Sequence, residues 1–154
     1  MKKIKLRSGL FTLVDDDDFK YLNQFKWYGY KDKTTSYVIR NKTVKDPLRE
    51  RNMARLIMNT PKGMEVDHVD HNGLNNQKSN LRNCTRSQNC ANRKPWSKSG
   101  YMGVYSFDNT IMSHIKINGK IIYLGTFKTN IDAAKAYDKA AKKYHGEFAN
   151  LNFK

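Results

Sequence analysis

The sequence predicts an α+β fold assembled from small modules. Three features predict it: short β-prone runs near both ends of the chain, one well-framed helix close to the C-terminus, and an Asn/Gly-rich loop between a strand and a helix in the middle. The chain has 154 residues, room for one ordinary domain or a few very small ones. We expect a β-rich segment over 1–50, a central module over 51–93, a linker over 94–99 and a C-terminal domain over 100–154.

The N-terminal segment alternates apolar and polar residues around Gly9, which indicates short strands joined by a turn. The acidic run Asp15 to Asp18 suits a metal site, but Phe19, Leu22 and Phe25 follow at helical spacing. Acidic residues at a helix start cap it and complement its dipole, so we expect a helix here. An aromatic-rich hairpin should follow between Trp27 and Val38, and a short apolar helix or strand over Met53 to Met58.

The C-terminal domain is predicted to be a three-stranded antiparallel sheet followed by one helix. Its β-prone runs GVYSF, IMSHIKI and KIIYLGTF are separated by turn signals at Asp108-Asn109 and Asn118-Gly119. Thr129 is placed to cap the helix, and Gly146 to end it. The expected packing face of that helix comprises Ala134, Tyr137, Ala141 and Tyr144.

The charge balance favours a polyanionic partner. The chain carries 29 Lys and Arg against 14 Asp and Glu, a formal charge of +15. No acidic residue occurs from His71 to Phe107, as expected of a surface that follows a nucleic-acid backbone. Double-stranded DNA is the predicted partner, with contacts assigned to Arg55, Arg82, Arg93 and Lys94.

A membrane partner is not expected, because no run of about 18 apolar residues exists and the N-terminus lacks the pattern of a signal peptide. Cys84 and Cys90 lack CxxC spacing and are interpreted as thiols in a reducing compartment. A zinc site would need two further ligands from scattered histidines. We expect a monomeric cytoplasmic protein, bacterial or phage-encoded and associated with the nucleoid.

The chemistry is concentrated in the motif EVDHVDHNGLNNQKSNLR. If Glu65 to Val69 is a strand, alternation separates His68 from Asp67, and the TRSQ capping box starts a helix that carries Asn89. Asp67 and Asn89 offer hard oxygen ligands for Mg²⁺ (or Mn²⁺), and His68 has the pKa range of a general base. Asn80 is the candidate that holds the His68 ring. The alternative is a hydrogen-bonded Asp67–His68 pair in a small DNA-binding fold.

This motif, with the Gln-Asn pair that follows it, resembles the histidine–asparagine–histidine (HNH) homing endonucleases of the ββα-metal type. The resemblance implies DNA as substrate, Asp67 and Asn89 as metal ligands, His68 as general base and Asn80 as its orienting partner. The N-terminal segment is similar to the leader that often precedes such nucleases. One departure is notable: family members usually have His-Arg-Leu where this chain has Ala54-Arg55-Leu56.

The C-terminal run resembles the Apetala-type domain of plant ethylene-response factors, in which a three-stranded sheet lies in the major groove. By position, the resemblance implies Tyr105, His114, Lys116 and Tyr123 as outward-facing DNA-reading residues. They differ from the arginines and tryptophans of the plant pattern, so the plant target sequence does not transfer. The alternative is that the tyrosines pack the sheet and Lys116 is solvated.

The function predicted from the sequence is site-specific, homing-type DNA cleavage that uses one divalent metal. A rival hypothesis is a DNA-binding regulator that keeps the nuclease fold as an inactive scaffold, which Ala54 favours. A third hypothesis is an RNA-binding protein that prefers single strands through its tyrosines.

Overall fold

The computed structural model describes residues 1–31, 36–41, 50–95, 97 and 99–153. The described residues are mixed helix and strand, which confirms the α+β class. They form two compact units, Met1–Thr85 and Arg86–Lys154. The division into four segments stays a prediction, and Trp96 and Lys98 of the expected linker lie outside the described residues.

The N-terminal unit contains three two-stranded antiparallel sheets, β1-β2, β3-β4 and β5-β6. In chain order its elements are β1 (Lys2–Lys5), β2 (Phe11–Val14), α1 (Asp16–Leu22), β3 (Trp27–Lys31), β4 (Ser36–Arg40), α2 (Met53–Ile57), β5 (Glu65–His68), a 3-10 helix (Lys78–Asn80) and β6 (Leu81–Cys84). The predicted N-terminal strands, aromatic hairpin and strand at Glu65 are confirmed. Strand β6 has no clear alternation and was not predicted from the pattern.

An apolar core joins the β1-β2 and β3-β4 sheets with helices α1 and α2. It comprises Ile4, Leu6, Val14, Leu22, Trp27, Val38 and Met53, all buried. The indole N–H of Trp27 donates to the carbonyl of Leu22 at 2.8 Å, so the largest side chain of this core is also satisfied as a donor. An isolated two-stranded sheet is at best marginally stable in water, and the shared core explains why β1-β2 and β3-β4 persist.

Strand β2 is bound to the loop that follows β5. The N–H of Leu13 donates to the carbonyl of Leu74, and the N–H of Asn76 donates to the carbonyl of Leu13, both at 2.8 Å. These bonds connect the N-terminal hairpin to the motif of the central module. The two therefore lie in one unit.

The acidic run starts helix α1 as expected, but Asp15 acts differently from a side-chain cap. Its carboxylate makes no capping bond to α1. Instead it accepts from the backbone N–H of Lys78 at 2.8 Å and from the Gln77 amide at 3.3 Å. Asp18 pairs with the Lys78 ammonium at 2.9 Å. The acidic run therefore begins helix α1 and also binds the residues at the start of the 3-10 helix.

The C-terminal unit is a three-stranded antiparallel sheet in the order β7-β8-β9 with one long helix. Its elements are α3 (Arg86–Ala91), β7 (Val104–Phe107), β8 (Thr110–Ile117), β9 (Lys120–Phe127), α4 (Asn130–His145) and a 3-10 helix (Gly146–Phe148). Asn118 and Gly119 both have positive φ, as the predicted hairpin turn requires. The carbonyl of Ala91 at the end of α3 accepts from Asn150 N–H at 3.4 Å.

Helix α4 packs its alanine-rich face on the sheet. The Thr129 hydroxyl accepts from the N–H of Asp132 at 3.1 Å, which confirms the predicted cap. Ala133 and Ala134 pack with Val104. Tyr137, Ala140 and Ala141 pack with Ile115. The prediction that Tyr144 belongs to this face is wrong, because its side chain is exposed. Within the described ranges, no helix combines the length and apolar character needed to cross a bilayer.

Candidate functional site

The β5-β6 hairpin carries the central motif. In its register Asp67 faces Arg82 and His68 faces Leu81. Asp67 is buried and His68 half-buried, in line with the alternation predicted for this strand. A carboxylate and an imidazole are thereby held on adjacent residues where the strand runs into the loop.

Asp67 forms a close ion pair with Arg82. Both Nε and Nη2 of the guanidinium donate to Oδ2 of Asp67, at 2.8 and 2.6 Å. The two side chains are only 6% and 15% exposed, so the pair lies largely out of water. Cross-strand register thus makes Arg82 the counter-charge of the predicted metal ligand, and its role as a DNA contact stays a prediction.

His68 is suited to accept a proton. Burial of the ring lowers the pKa of His68 below its ordinary value, although the hydrogen bond to Asn76 and the charges of Asp70 and Asp67 act in the opposite direction. The neutral, proton-accepting form is therefore favoured at neutral pH. The atom Nε2 lies 3.2 Å from Oδ1 of Asn76.

Asn80 holds the loop rather than the His68 ring. Its Oδ1 accepts from the N–H of Asp70 at 3.0 Å, and its Nδ2 donates to Asp70 Oδ1 at 2.9 Å and to the Asn75 carbonyl at 2.8 Å. The backbone carbonyl of Asn80 also accepts from Val69 N–H. The predicted role is corrected: Asn80 positions the chain just after His68, and Asn76 is the ring partner. Sequence spacing does not distinguish these two asparagines.

Asp70 completes the brace, because its carboxylate accepts from one backbone N–H and from side-chain amides of the loop. It accepts from Asn72 N–H at 2.8 Å and from the Asn75 amide at 2.8 Å. Burial raises the pKa of Asp70, but the hydrogen bonds from Asn75, Asn72 and Asn80 outweigh burial, and the pKa lies below its ordinary value. The loop is therefore organised around a carboxylate that stays ionised at neutral pH.

The predicted metal ligands fit a hard cation by their donor chemistry. Asp67 has a carboxylate in the N-terminal unit, and Asn89, half-buried in α3 of the C-terminal unit, has an amide oxygen; that both bind one ion stays a prediction. The described residues contain no cluster of three or more His, Cys, Asp and Glu side chains that would hold zinc or a fully protein-ligated ion. Carboxylate and amide oxygens suit Mg²⁺ or Mn²⁺, which retain several water ligands.

Arg55 makes structural contacts within the N-terminal unit, and its role as a DNA contact stays a prediction. Its guanidinium pairs with Glu50 at 2.8 Å and donates to the carbonyls of Met64 and Thr60. These partners surround a planar group whose donors are fixed in direction, so the side chain is held within its own unit. Arg93 and Lys94, by contrast, are exposed as a DNA contact requires.

Ala54 is only 3% exposed on helix α2. The position where family members usually have histidine is therefore a packed one in this chain. Any larger residue at Ala54 must make room for itself against its neighbours.

All four predicted DNA-reading residues lie on the sheet face opposite α4. Tyr105 stacks on His114 with ring centroids 3.8 Å apart and an angle of 8°. His114 lies opposite Tyr123, and Lys116 opposite Ile121, across the β8-β9 pair. Tyr123 is 60% exposed, so the alternative that it packs within the sheet is not supported. Exposed Phe107 and Ile121 extend the same face.

Two residues near His68 were missed from the sequence. Asn76 was predicted only to lie in an Asn/Gly-rich loop, and no role was predicted for Thr12. Both are buried. The available signal was that Thr12 lies two residues before Val14 on β2, so that both side chains point to the same face and the Thr12 hydroxyl lies on the buried side of that strand.

Comparison with known proteins finds similarity to nucleases over the central motif and beyond it. A family model described as HNH endonuclease matches residues 59–91. An uncharacterized HNH endonuclease of Acanthamoeba polyphaga mimivirus is 34% identical over 146 residues, which cover 94% of this chain and 75% of that protein.

A shorter similarity concerns plant proteins. A stretch of 64 residues, 40% of this chain, is 48% identical to the AP2-like ethylene-responsive transcription factor TOE2 of Arabidopsis thaliana. A stretch of the same length is 47% identical to APETALA2-like protein 2 of Oryza sativa subsp. indica. The stretch covers only 13% and 15% of those proteins. The near-complete overlap with the mimivirus protein, together with the family model across the motif, shows that the chain belongs to the HNH endonuclease family.

Proposed function

We propose that this chain is a DNA endonuclease that hydrolyses phosphodiester bonds with one divalent metal ion. The observation that carries the proposal is the adjacency of ionisable Asp67 and a half-buried His68 whose pKa is lowered, at the end of β5 inside the matched region. A base that is neutral at working pH beside a hard-oxygen ligand is the arrangement that metal-assisted hydrolysis needs.

In the proposed reaction, His68 takes a proton from a water molecule as the water oxygen attacks phosphorus. A new P–O bond forms, the P–O bond to the leaving oxygen breaks, and that oxygen takes a proton from solvent. A bound Mg²⁺ or Mn²⁺ would polarise the phosphate and offset the charge on the leaving oxygen. Asp67 and Asn89 are the proposed ligands, and Asn80 keeps the loop after His68 in place.

The outward face of the β7-β8-β9 sheet is the proposed surface for reading duplex DNA and giving the enzyme homing-type site specificity. Residues 86–154 hold 12 Lys and Arg against 4 Asp and Glu, which favours a polyanion. A β-sheet fits the major groove, where Lys116 and His114 have the chemistry to contact base edges or phosphates. The exposed Tyr105 and Tyr123 add apolar surface for contact with bases.

Ala54 favours a second candidate, a DNA-binding regulator with an inactive nuclease scaffold. Ala54 is buried on α2 and stands where family members usually have a histidine. The two candidates make the same prediction for DNA binding and opposite predictions for cleavage.

The test is a plasmid assay with a mixed-sequence substrate in Mg²⁺, Mn²⁺ and EDTA, scoring nicked and linear products. It uses the natural chain, Ala54→His and His68→Ala, with circular dichroism to verify that each is folded. Metal-dependent cleavage that His68→Ala abolishes is the expected result. Cleavage only after Ala54→His would identify a disabled nuclease. Tight duplex binding without cleavage by either chain would favour the regulator.

A further inference from the structure

A buried polar chain connects the N-terminal hairpin to the ring of His68. Thr12 on β2 and Asn76 in the loop are 0% and 1% exposed. The Thr12 hydroxyl donates to the Leu74 carbonyl at 2.8 Å. The Asn76 amide nitrogen lies 2.9 Å from the Thr12 hydroxyl oxygen and 3.3 Å from the Gly73 carbonyl, and Asn76 Oδ1 lies 3.2 Å from His68 Nε2.

Only one assignment of donors and acceptors satisfies all the hydrogen bonds in this series from Leu74 to His68. A backbone carbonyl only accepts, so Thr12 uses its single proton on Leu74 and its oxygen accepts from Asn76. The carbonyl of Gly73 likewise accepts from Asn76, which fixes the NH₂ end of the amide away from the imidazole. The end that faces His68 is therefore Oδ1, an acceptor. An acceptor at 3.2 Å requires that Nε2 of His68 carries the proton.

We propose that Thr12 and Asn76 are positioning residues that hold neutral His68 as the Nε2–H tautomer and so leave Nδ1 as the atom that accepts a proton. This inference rests on the proposed role of His68 as general base. It makes the N-terminal hairpin part of the catalytic apparatus. The backbone bonds of Leu13 to Leu74 and Asn76 hold the hairpin in register with the loop.

The same contacts would also serve to satisfy buried polar groups without any effect on chemistry. In that case removing them lowers stability but leaves the chemical step unchanged. Two readouts therefore act together: the tautomer shows whether Asn76 sets the protonated ring nitrogen, and the single-turnover rate shows whether that tautomer serves the chemical step. The wrong tautomer of a catalytic histidine is known to be costly for a base that must accept at one atom.

The deciding experiment is ¹⁵N NMR of the apo chain with labelled histidines at about pH 8, above the ordinary histidine pKa. Long-range ¹H–¹⁵N correlations report which nitrogen of each ring is protonated, and His68→Gln assigns the His68 signals. The chain has four histidines, so His71, His114 and His145 serve as internal controls.

We expect one His68 tautomer, with a slowly exchanging Nε2–H proton that is lost in Asn76→Ala while the other three rings are unchanged. Asn83→Ala is the matched control, since it removes another amide of this unit that donates to the Met58 carbonyl at 3.2 Å. An Nδ1–H ring in the natural chain, or an Nε2–H proton that persists in Asn76→Ala, would overturn the inference. This readout needs neither metal nor DNA.

A kinetic arm uses whichever of the natural chain and Ala54→His cleaves, at saturating metal and DNA. Asn76→Ala should lower the single-turnover rate about 10–100-fold at unchanged DNA affinity, as for loss of a group that orients a site histidine. Thr12→Val should lower it in the same direction, and Thr12→Ser, which keeps the hydroxyl, should restore it. A fall that appears only in DNA affinity would contradict the positioning role. Absence of cleavage by both chains would overturn the nuclease proposal and leave the NMR test decisive.

Discussion

Replacement of Asn80 by alanine is the sharpest test of how the loop after His68 is held. The Asn80 side chain is only 8% exposed and makes three hydrogen bonds, two with Asp70 and one to the Asn75 carbonyl. A typical intramolecular hydrogen bond contributes about 1 kcal/mol net. Asp70 is exposed to solvent, so its two bonds count for less than a buried pair would. We expect Asn80→Ala to lower the free energy of unfolding by about 2–3 kcal/mol.

The assay is urea denaturation followed by tryptophan fluorescence. Trp27 lies in the core of the same unit, and a Trp96→Phe background leaves it as the only one of the two tryptophans. Ser79→Ala, at an exposed neighbouring position, is the matched control and should change stability by less than about 0.5 kcal/mol. Cleavage should also fall, because the backbone after His68 loses its support.

The opposite pattern would refute this reasoning. A loss of stability under about 1 kcal/mol together with abolished cleavage would mean that Asn80 acts directly on the His68 ring. Direct orientation of the His68 ring is the role predicted from the sequence, and in that role Asn80 affects cleavage but not stability. A large loss of stability in Asn80→Ala instead supports a brace for the loop.

Three further predictions concern stability, pH and DNA binding. Gly103 has a positive φ, and a Cβ there would overlap the Tyr137 ring, so Gly103→Ala should cost about 3 kcal/mol in thermal denaturation; Gly119→Ala, also at positive φ but in open space, should cost about 1 kcal/mol. Because burial lowers the pKa of His68 below its ordinary value of about 6.5, the cleavage rate should decrease only when the pH is lowered below that value. The unfolded chain binds the proton more readily, so the free energy of unfolding should also decrease as the pH is lowered through this range. A half-maximal cleavage rate above about pH 6.5 would contradict this prediction. Lys116→Ala should weaken duplex binding and either lower the salt slope by about one or relax sequence preference, and an unchanged titration would remove Lys116 from the interface.

Local sequence signals determined most of the secondary structure. The Asn118-Gly119 pair set the hairpin turn, and Thr129 set the start of α4, because backbone sterics and cap hydrogen bonds act over a few residues. Alternation likewise placed Asp67 and His68 on opposite faces of β5. Tyr144 was assigned wrongly because periodicity gives the direction of a face but not how far the sheet beneath it extends.

The sequence by itself determined the family, the ionisable pair at Asp67 and His68, and the basic character of the chain. Only the tertiary structure decided how those groups are held. The pairing of Asp67 with Arg82 follows from strand register, and the bond from Asn76 to Thr12 spans 64 residues of sequence. The contacts of Arg55 with Glu50, Met64 and Thr60 likewise have no signal in the sequence. Such partners are chosen by packing, which brings together residues whose spacing along the chain contains no signal of their contact.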